Sequence, residues 1–172
     1  ISAMPPEGFG ISARNITVST VGVVPGIKKL TAEGIPVRLA VSLHAPSDEL
    51  RDELVPMNKR FNTAQVLDAA HDYWLASKRR VSIEYALMRG INDQAEHAQL
   101  LAKRLNHYGD NWAHVNPIPL NPIEGSKWTA SKPEDEQRFL GILHRAGITA
   151  TLRDTRGQDI DGACGQLAAK ER

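Results

Sequence analysis

The chain has 172 residues, 41% apolar and 24% charged, which suffices for one globular domain with a real core. Lys and Arg total 21 against 20 Asp and Glu, so the overall charge gives no sign of a polyanion partner, although a local basic patch fits within a neutral total. One cysteine excludes an intrachain disulfide framework and a cysteine-only metal site, and no apolar run approaches the roughly 18 residues a bilayer span needs. No membrane association is therefore expected, no signal-peptide pattern is seen, and a reducing cytoplasm is the default location. Ile1 is not an initiator methionine, and residues 1–8 read as a loop, as in a processed chain or an excised fragment.

Arg14 to Gly22 is β-branched and short, and predicts a strand. Pro25 to Glu33 predicts a helix with Ile27 and Leu30 inward, stopped by Gly34. Val37 to Pro46 predicts a second strand that ends at the proline. Ser47 is an N-cap for a short helix with acids in its first turn. Asn62 or Thr63 caps a longer helix whose inward face is Val66, Leu67, Ala70, Tyr73 and Trp74. Val81 to Met88 is a third strand. Asp93 to His107 is a helix with Leu100, Leu101 and Leu105 inside. Trp112 to Pro122 is a fourth strand running into a proline-locked loop, followed by a polar connection over 124–131. Pro133 to Ala146 is a helix with proline in its first turn and Phe139, Leu140 and Leu143 inside. Ile148 to Leu152 predicts a fifth strand, and a short final helix is expected after Asp159.

Strand and helix thus alternate, which argues for a parallel sheet with crossover helices, either open and doubly wound or part of a barrel. Neither a Gly-x-Gly-x-x-Gly fingerprint nor a Gly-Lys-Ser/Thr phosphate loop is present. In parallel α/β folds ligands bind at the carboxyl ends of the strands. Those ends deliver Ser19 and Thr20; Ser42 and His44; Met88, Arg89, Asn92 and Asp93; Asn116 and Asn121; and Arg153 and Asp154. Glu84 lies within the third strand, either as half of a buried pair with an arginine or as a functional carboxylate. Each of the others also has a plain reading. Ser19 and Thr20 suit a turn, His44 suits a hydrogen-bonded structural site, and Asn121 suits a loop cap. Lys78-Arg79-Arg80 reads as a solvated cluster or as a contact for phosphate. His71, His97 and His107 fall on helices without metal-ligand spacing and read as surface residues; His114 and His144 carry no signal.

The lone Cys164 follows the last predicted strand in a polar segment with glycines at 157, 162 and 165 and arginines at 153 and 156. Such a setting suits an accessible, reactive thiol, and equally a small side chain in a C-terminal turn. Composition and spacing alone leave an α/β protein with a polar rim and one notable cysteine.

Several segments, in order, carry a resemblance: Thr17 to Pro25; Ser42-Leu43-His44-Ala45-Pro46 with Arg51 to Asn58; Ile83-Glu84-Tyr85; Pro119-Leu120-Asn121-Pro122; and Arg156 to Leu167. Together they resemble the radical S-adenosylmethionine RNA methyltransferases that methylate carbon 2 of adenosine in 23S rRNA and tRNA. The resemblance implies a partial (β/α) barrel of the radical SAM type. Residues 1–172 would be the C-terminal portion of its catalytic domain, and residues 153–172 its thiol-bearing segment. It implies that Ser19, Ser42, Leu43, His44 and Asn121 contact S-adenosylmethionine and that Cys164 is the cysteine that becomes methylated. In that family a 5′-deoxyadenosyl radical takes hydrogen from the S-methyl group, the carbon radical adds to adenine, and a second cysteine resolves the adduct. The implied cofactors are S-adenosylmethionine and a 4Fe-4S cluster; the implied partners are 23S rRNA, tRNA and an electron donor such as flavodoxin. The related carbon-8 methyltransferases share these motifs, and a non-enzymatic α/β binding module is a further alternative. The family's Cys-x3-Cys-x2-Cys cluster motif, its resolving cysteine and its Gly-Glu-Pro segment are absent here, and are expected upstream of Ile1. The 172 residues alone are therefore expected to bind no cluster and to be inactive.

Overall fold

A computed structural model describes residues 10–109, 111–121 and 126–153. After a 3₁₀ turn at Ala13–Asn15 the chain forms β1 (Thr17–Thr20), α1 (Val24–Glu33), β2 (Arg38–Ser42), α2 (Asp48–Leu54), a second 3₁₀ turn (Pro56–Lys59), α3 (Thr63–Ser77), β3 (Val81–Leu87), α4 (Ala95–Asn106), β4 (Ala113–Pro119) and α5 (Pro133–Arg145). The four strands form one sheet in sequence order, every neighbouring pair parallel. The alternating βα architecture read from the sequence is therefore the one found, and each parallel step is spanned by a helical crossover.

Local chemistry sets the helix ends. Asn62 caps α3: its Oδ1 accepts from Gln65 N at 2.9 Å, while Gln65 Oε1 accepts from Asn62 N at 3.0 Å. Ser47 Oγ accepts from Leu50 N at 3.4 Å to start α2. Gly34, at φ 67°, closes α1 in the left-handed conformation that a residue with a Cβ disfavours. Pro133 occupies the first turn of α5, followed by Glu134, Asp135 and Glu136 at its positive end.

The helices pack on one face of the sheet. Val81, Ile83, Tyr85 and Leu87 alternate along β3 and are buried, as are Leu39 and Val41 of β2 and Val115 of β4. They meet Val66, Leu67, Ala70 and Tyr73 of α3, Leu101 and Leu105 of α4, and Phe139 and Leu143 of α5. Each fully buried side chain of this kind contributes about 1.5–3 kcal/mol. The opposite face differs in chemistry. The registers Ser19–Ala40–Ser82–His114 and Ser42–Glu84–Asn116 place polar residues in rows across it, and most are only half-buried.

Four expectations are corrected. The second strand ends at Ser42 rather than running to Pro46, because His44 takes φ 60° and turns the chain. Ile148 to Leu152 lies parallel to β4 but forms a single bridge, Val115–Ala150, instead of a full strand. Val115 N donates to Thr149 O at 2.9 Å, Thr151 N to Val115 O at 3.1 Å and Arg153 N to Pro117 O at 2.8 Å. The next bond of that ladder needs an N–H at position 117, and proline has none. Leu100 and Leu140 are only half-buried, while Ala98, Ala102 and Glu136 take the inward positions. His71 is not a free surface residue: its ring lies 5.3, 4.9 and 5.4 Å from those of Trp74, Tyr108 and Trp112. The segment after Asp159 lies outside the described residues.

Candidate cofactor site at the carboxyl ends of the strands

Arg51 holds the rim together. Its side chain is fully buried on α2, and it has no carboxylate within ion-pair distance among the described residues. Instead it donates from Nη2 to Val21 O at 2.7 Å and Ser42 O at 3.3 Å, from Nε to Leu43 O at 3.0 Å, and from Nη1 to Asn58 Oδ1 at 2.8 Å. One guanidinium thereby ties the carboxyl ends of β1 and β2 to the turn after α2. Asn58 passes the charge on, its Nδ2 donating to Asp52 Oδ1 at 2.7 Å. Asp48 and Asp52 oppose the loss of the Arg51 proton that burial favours. Gly22, at φ 96°, gives the guanidinium room: a Cβ there would lie 2.7 Å from Val66 Cγ2 and 3.2 Å from Arg51 Nη2.

His44 is fixed just as tightly. Leu43 N and His44 N both donate to Glu84 O, at 3.0 and 3.4 Å. The His44 ring then does what a strand carbonyl would do: its Nδ1 accepts from Ala86 N at 3.0 Å. A ring nitrogen that accepts an N–H is unprotonated, so the neutral ring carries its proton on Nε2. Burial lowers the His44 pKa below the usual 6.5, the Arg51 charge lowers it further, and Glu84 works against both. His44 is thus a neutral donor at physiological pH.

Asn92 completes the frame. Its Oδ1 accepts from Met88 N at 2.7 Å, and its Nδ2 donates to His44 O at 2.8 Å and Ala86 O at 2.7 Å. Beside it Asp93 Oδ1 accepts from Gly90 N at 2.9 Å and Gln94 Nε2 at 2.7 Å, and Asp93 Oδ2 accepts from Ser131 Oγ. Burial, then Asp93, raises the pKa of Glu136.

The polar face adds a second network. Glu84 Oε1 accepts from Ser82 Oγ at 2.5 Å and Glu84 Oε2 from Asn116 Nδ2 at 2.7 Å. Of the two readings of Glu84, the pair with an arginine is not found among the described residues; two neutral donors bind its carboxylate. Ser42 shares its row. The predicted site residues therefore gather as follows. Ser42 and His44 flank the end of β2. Ser19 lies on β1 in the next row, also lining a hollow of about 350 Å³ beside α1. Leu43 turns its side chain into the core, with its N–H and C=O already engaged. Asn121 stands just beyond β4, and its Oδ1 is buried without a hydrogen-bond partner among the described residues. Cys164 and Asp154 lie outside the described residues.

Serine hydroxyls on the polar face, with a neutral imidazole donor and an orphaned amide oxygen at the ends of β2 and β4, fit a ligand with hydroxyl, amine and carboxylate groups, such as S-adenosylmethionine. An iron–sulfur cluster does not fit this chain. It needs three protein thiolates where one cysteine exists, and no group of His, Cys, Asp or Glu suited to a metal occurs among the described residues. Sequence reading gave Arg51 no role. Its surroundings of Asp48, Glu49, Asp52 and Glu53 look like a solvated face, and its acceptors are mostly backbone carbonyls that no pattern displays.

No protein-family model matches the sequence. The chain is 99% identical over all 172 residues to a protein of Bifidobacterium longum named as a probable dual-specificity RNA methyltransferase RlmN, covering 44% of that protein. A protein of the same name from Kocuria rhizophila is 64% identical over 165 residues, which are 96% of this chain and 43% of the relative. The crystal structure of a radical SAM methyltransferase from Sphaerobacter thermophilus superimposes with a TM-score of 0.88 at 46% identity, over 94% of this chain and 46% of that one. The resemblance read from the sequence holds across the whole chain, and the described residues carry the α/β fold with its parallel sheet. The chain spans less than half the length of the relatives it matches.

Proposed function

We propose that this chain forms the later strands of the catalytic barrel of a radical S-adenosylmethionine RNA methyltransferase, one that methylates carbon 2 of adenosine in 23S rRNA and tRNA. The observation that carries the reading is the locked rim at Ser42-Leu43-His44, where Arg51, Asn92 and Glu84 O fix a neutral imidazole beside an open polar face. Similarity to RNA methyltransferases over the full 172 residues supports it independently.

In this reading Ser19, Ser42, His44 and Asn121 hold S-adenosylmethionine, with Leu43 setting the backbone between its neighbours. His44 offers Nε2–H as a donor, and Asn121 Oδ1 gains the partner it lacks among the described residues. Asn121 Oδ1 is buried, so a hydrogen bond to it would be stronger than the same bond in water. S-adenosylmethionine supplies, when bound, a methyl group that a thiolate can accept. Cys164 is the acceptor in this reading, and the glycines and arginines around it suit a thiol that must meet a cofactor and then a base. One cysteine in this chain is too few for a three-thiolate cluster. RNA and an electron donor such as flavodoxin are partners of the complete enzyme in this proposal.

Mass spectrometry of the Cys164 peptide from the complete enzyme tests the assignment. An added methyl on that thiol is expected, together with loss of RNA methylation in Cys164→Ala while the cluster absorbance persists. Retained methylation in that variant would remove Cys164 from the mechanism. Chromatography of nucleosides from modified RNA separates the carbon-2 product from the carbon-8 one.

A further inference from the structure

A basic hollow of about 350 Å³ lies at the opposite, amino-terminal end of the sheet, lined by Arg38, Leu39, Lys78, Arg79, Arg80 and Ser82. The fold builds it deliberately out of the turn between α3 and β3. Lys78 takes φ 55° and ends α3, its N–H donating to Trp74 O at 2.8 Å. The reversal sends Arg79 and Arg80 across the end of the sheet, next to Arg38 at the start of β2. Arg79 is braced by Nη2 donating to Arg14 O at 3.2 Å, while its Nε is buried with no hydrogen-bond partner among the described residues. Lys78 Nζ stands 5.3 Å from the Trp74 ring centroid.

Four cations share this hollow and its lining contains no carboxylate. Among the described residues the two side-chain ion pairs are Lys29–Glu33 and Arg138–Asp135, so none of the four is neutralised by an acid there. Like charges held this close repel, and the arrangement is stabilised by whatever anion enters it. The net charge of the whole chain is only +1, so the concentration is local. Planar guanidinium forks suit phosphate oxygens, and the Lys78 ammonium adds a point charge beside them.

We infer that this hollow binds backbone phosphates of the RNA substrate. The inference rests on the RNA methyltransferase reading and adds to it a docking site away from the chemistry. Arg80 lies just before β3, four residues ahead of Glu84 in the chain and about 13 Å along the strand direction from the proposed cofactor face. It therefore grips backbone rather than the base that reacts, and contributes affinity without reading sequence.

The test is salt-dependent binding of an unmodified tRNA transcript to the complete enzyme. The variant is Arg38→Gln/Lys78→Gln/Arg80→Gln; Arg79 is left in place because it braces the fold. A control removes equal charge from the exposed outer helices, Lys28→Gln/Lys103→Gln/Arg145→Gln. In the hollow variant Kd should rise by about tenfold or more at low salt, and the slope of log K against log salt should flatten by about 2 to 3. The control should change the slope by less than about 1, and RNA-free methylation of Cys164 should be unchanged in both. Unchanged Kd and slope in a variant whose parent binds and methylates tRNA would overturn the phosphate site and leave the enzymatic reading standing. Weaker binding with an unchanged slope would also overturn it, because the lost affinity would then not come from phosphate contacts. A parent enzyme that binds tRNA with a steep salt dependence but methylates no adenosine would instead overturn the enzymatic reading.

Discussion

Removing the Arg51 guanidinium would strand Val21 O, Leu43 O and Asn58 Oδ1 in the interior without donors. Arg51→Met is expected to destabilise the domain by roughly 3–5 kcal/mol, since lost partners of a buried charge leave their full desolvation penalty behind. Arg51→Lys should recover little, because one ammonium cannot span acceptors on two strand ends and a turn. Urea denaturation measures both. The His44 prediction concerns pH. Its folded pKa is depressed below 6.5, so the unfolded state binds the extra proton first. Its contribution is therefore fully present above pH 6.5 and is lost as pH falls through the depressed folded value. His114 is also depressed, chiefly by burial and then by Arg80, and adds to the same trend. Urea midpoints for the parent and His44→Gln between pH 7.5 and 5 should show a shallower decline in the variant. An identical decline would reassign the trend to other groups.

At the level of elements, Asn92 is the stitch between the ends of β2 and β3. Asn92→Asp keeps the shape but turns an oxygen toward His44 O and Ala86 O, where an amide now donates to both. It should destabilise by roughly 2–4 kcal/mol at neutral pH and recover part of that as the new carboxyl protonates. Stability curves at two pH values check this, and equal loss at both would argue for a purely steric effect. Much of this layer was legible beforehand. Caps marked α2 and α3, glycine marked the end of α1, and Val81 to Met88 read as a strand. What escaped were features that depend on partners far along the chain. A left-handed His44 reads as strand until its ring is seen to take Ala86 N–H, and residues 148–152 read as strand until Pro117 is placed opposite them. His71 looked solvent-facing because an aromatic cluster drawn from α3, Tyr108 and Trp112 leaves no local periodic trace.

For the molecule as a whole, the site was legible as a set of polar strand ends, while its assignment to a cofactor came from resemblance. The lone cysteine gives a clear expectation: after anaerobic reconstitution the 172-residue chain should carry far less than a stoichiometric amount of iron and labile sulfide. A full 4Fe-4S complement would refute it. Among the described residues β1 is an edge strand, and Val18, Val21 and Val23 near it are exposed at 37–42%. An uncovered, apolar edge invites pairing. Sedimentation velocity should show concentration-dependent association of the chain, reduced in Val18→Lys; a monomer at every concentration would show that the edge is protected.

The prolines of β4 give this sheet a direction. Pro117 and Pro119 withdraw two amides from its far side, which residues 149–153 already line with a few bonds, whereas β1 keeps its outer groups available. The two flanks are thus unequal as building sites. If the enzyme were divided and its two parts expressed separately, reassembly should proceed by a partner strand zipping onto β1, with β4 acting as a terminator. A split version of the enzyme therefore has one productive seam, and a blocking residue on β1 should abolish complementation while the same change beside Pro117 leaves it intact.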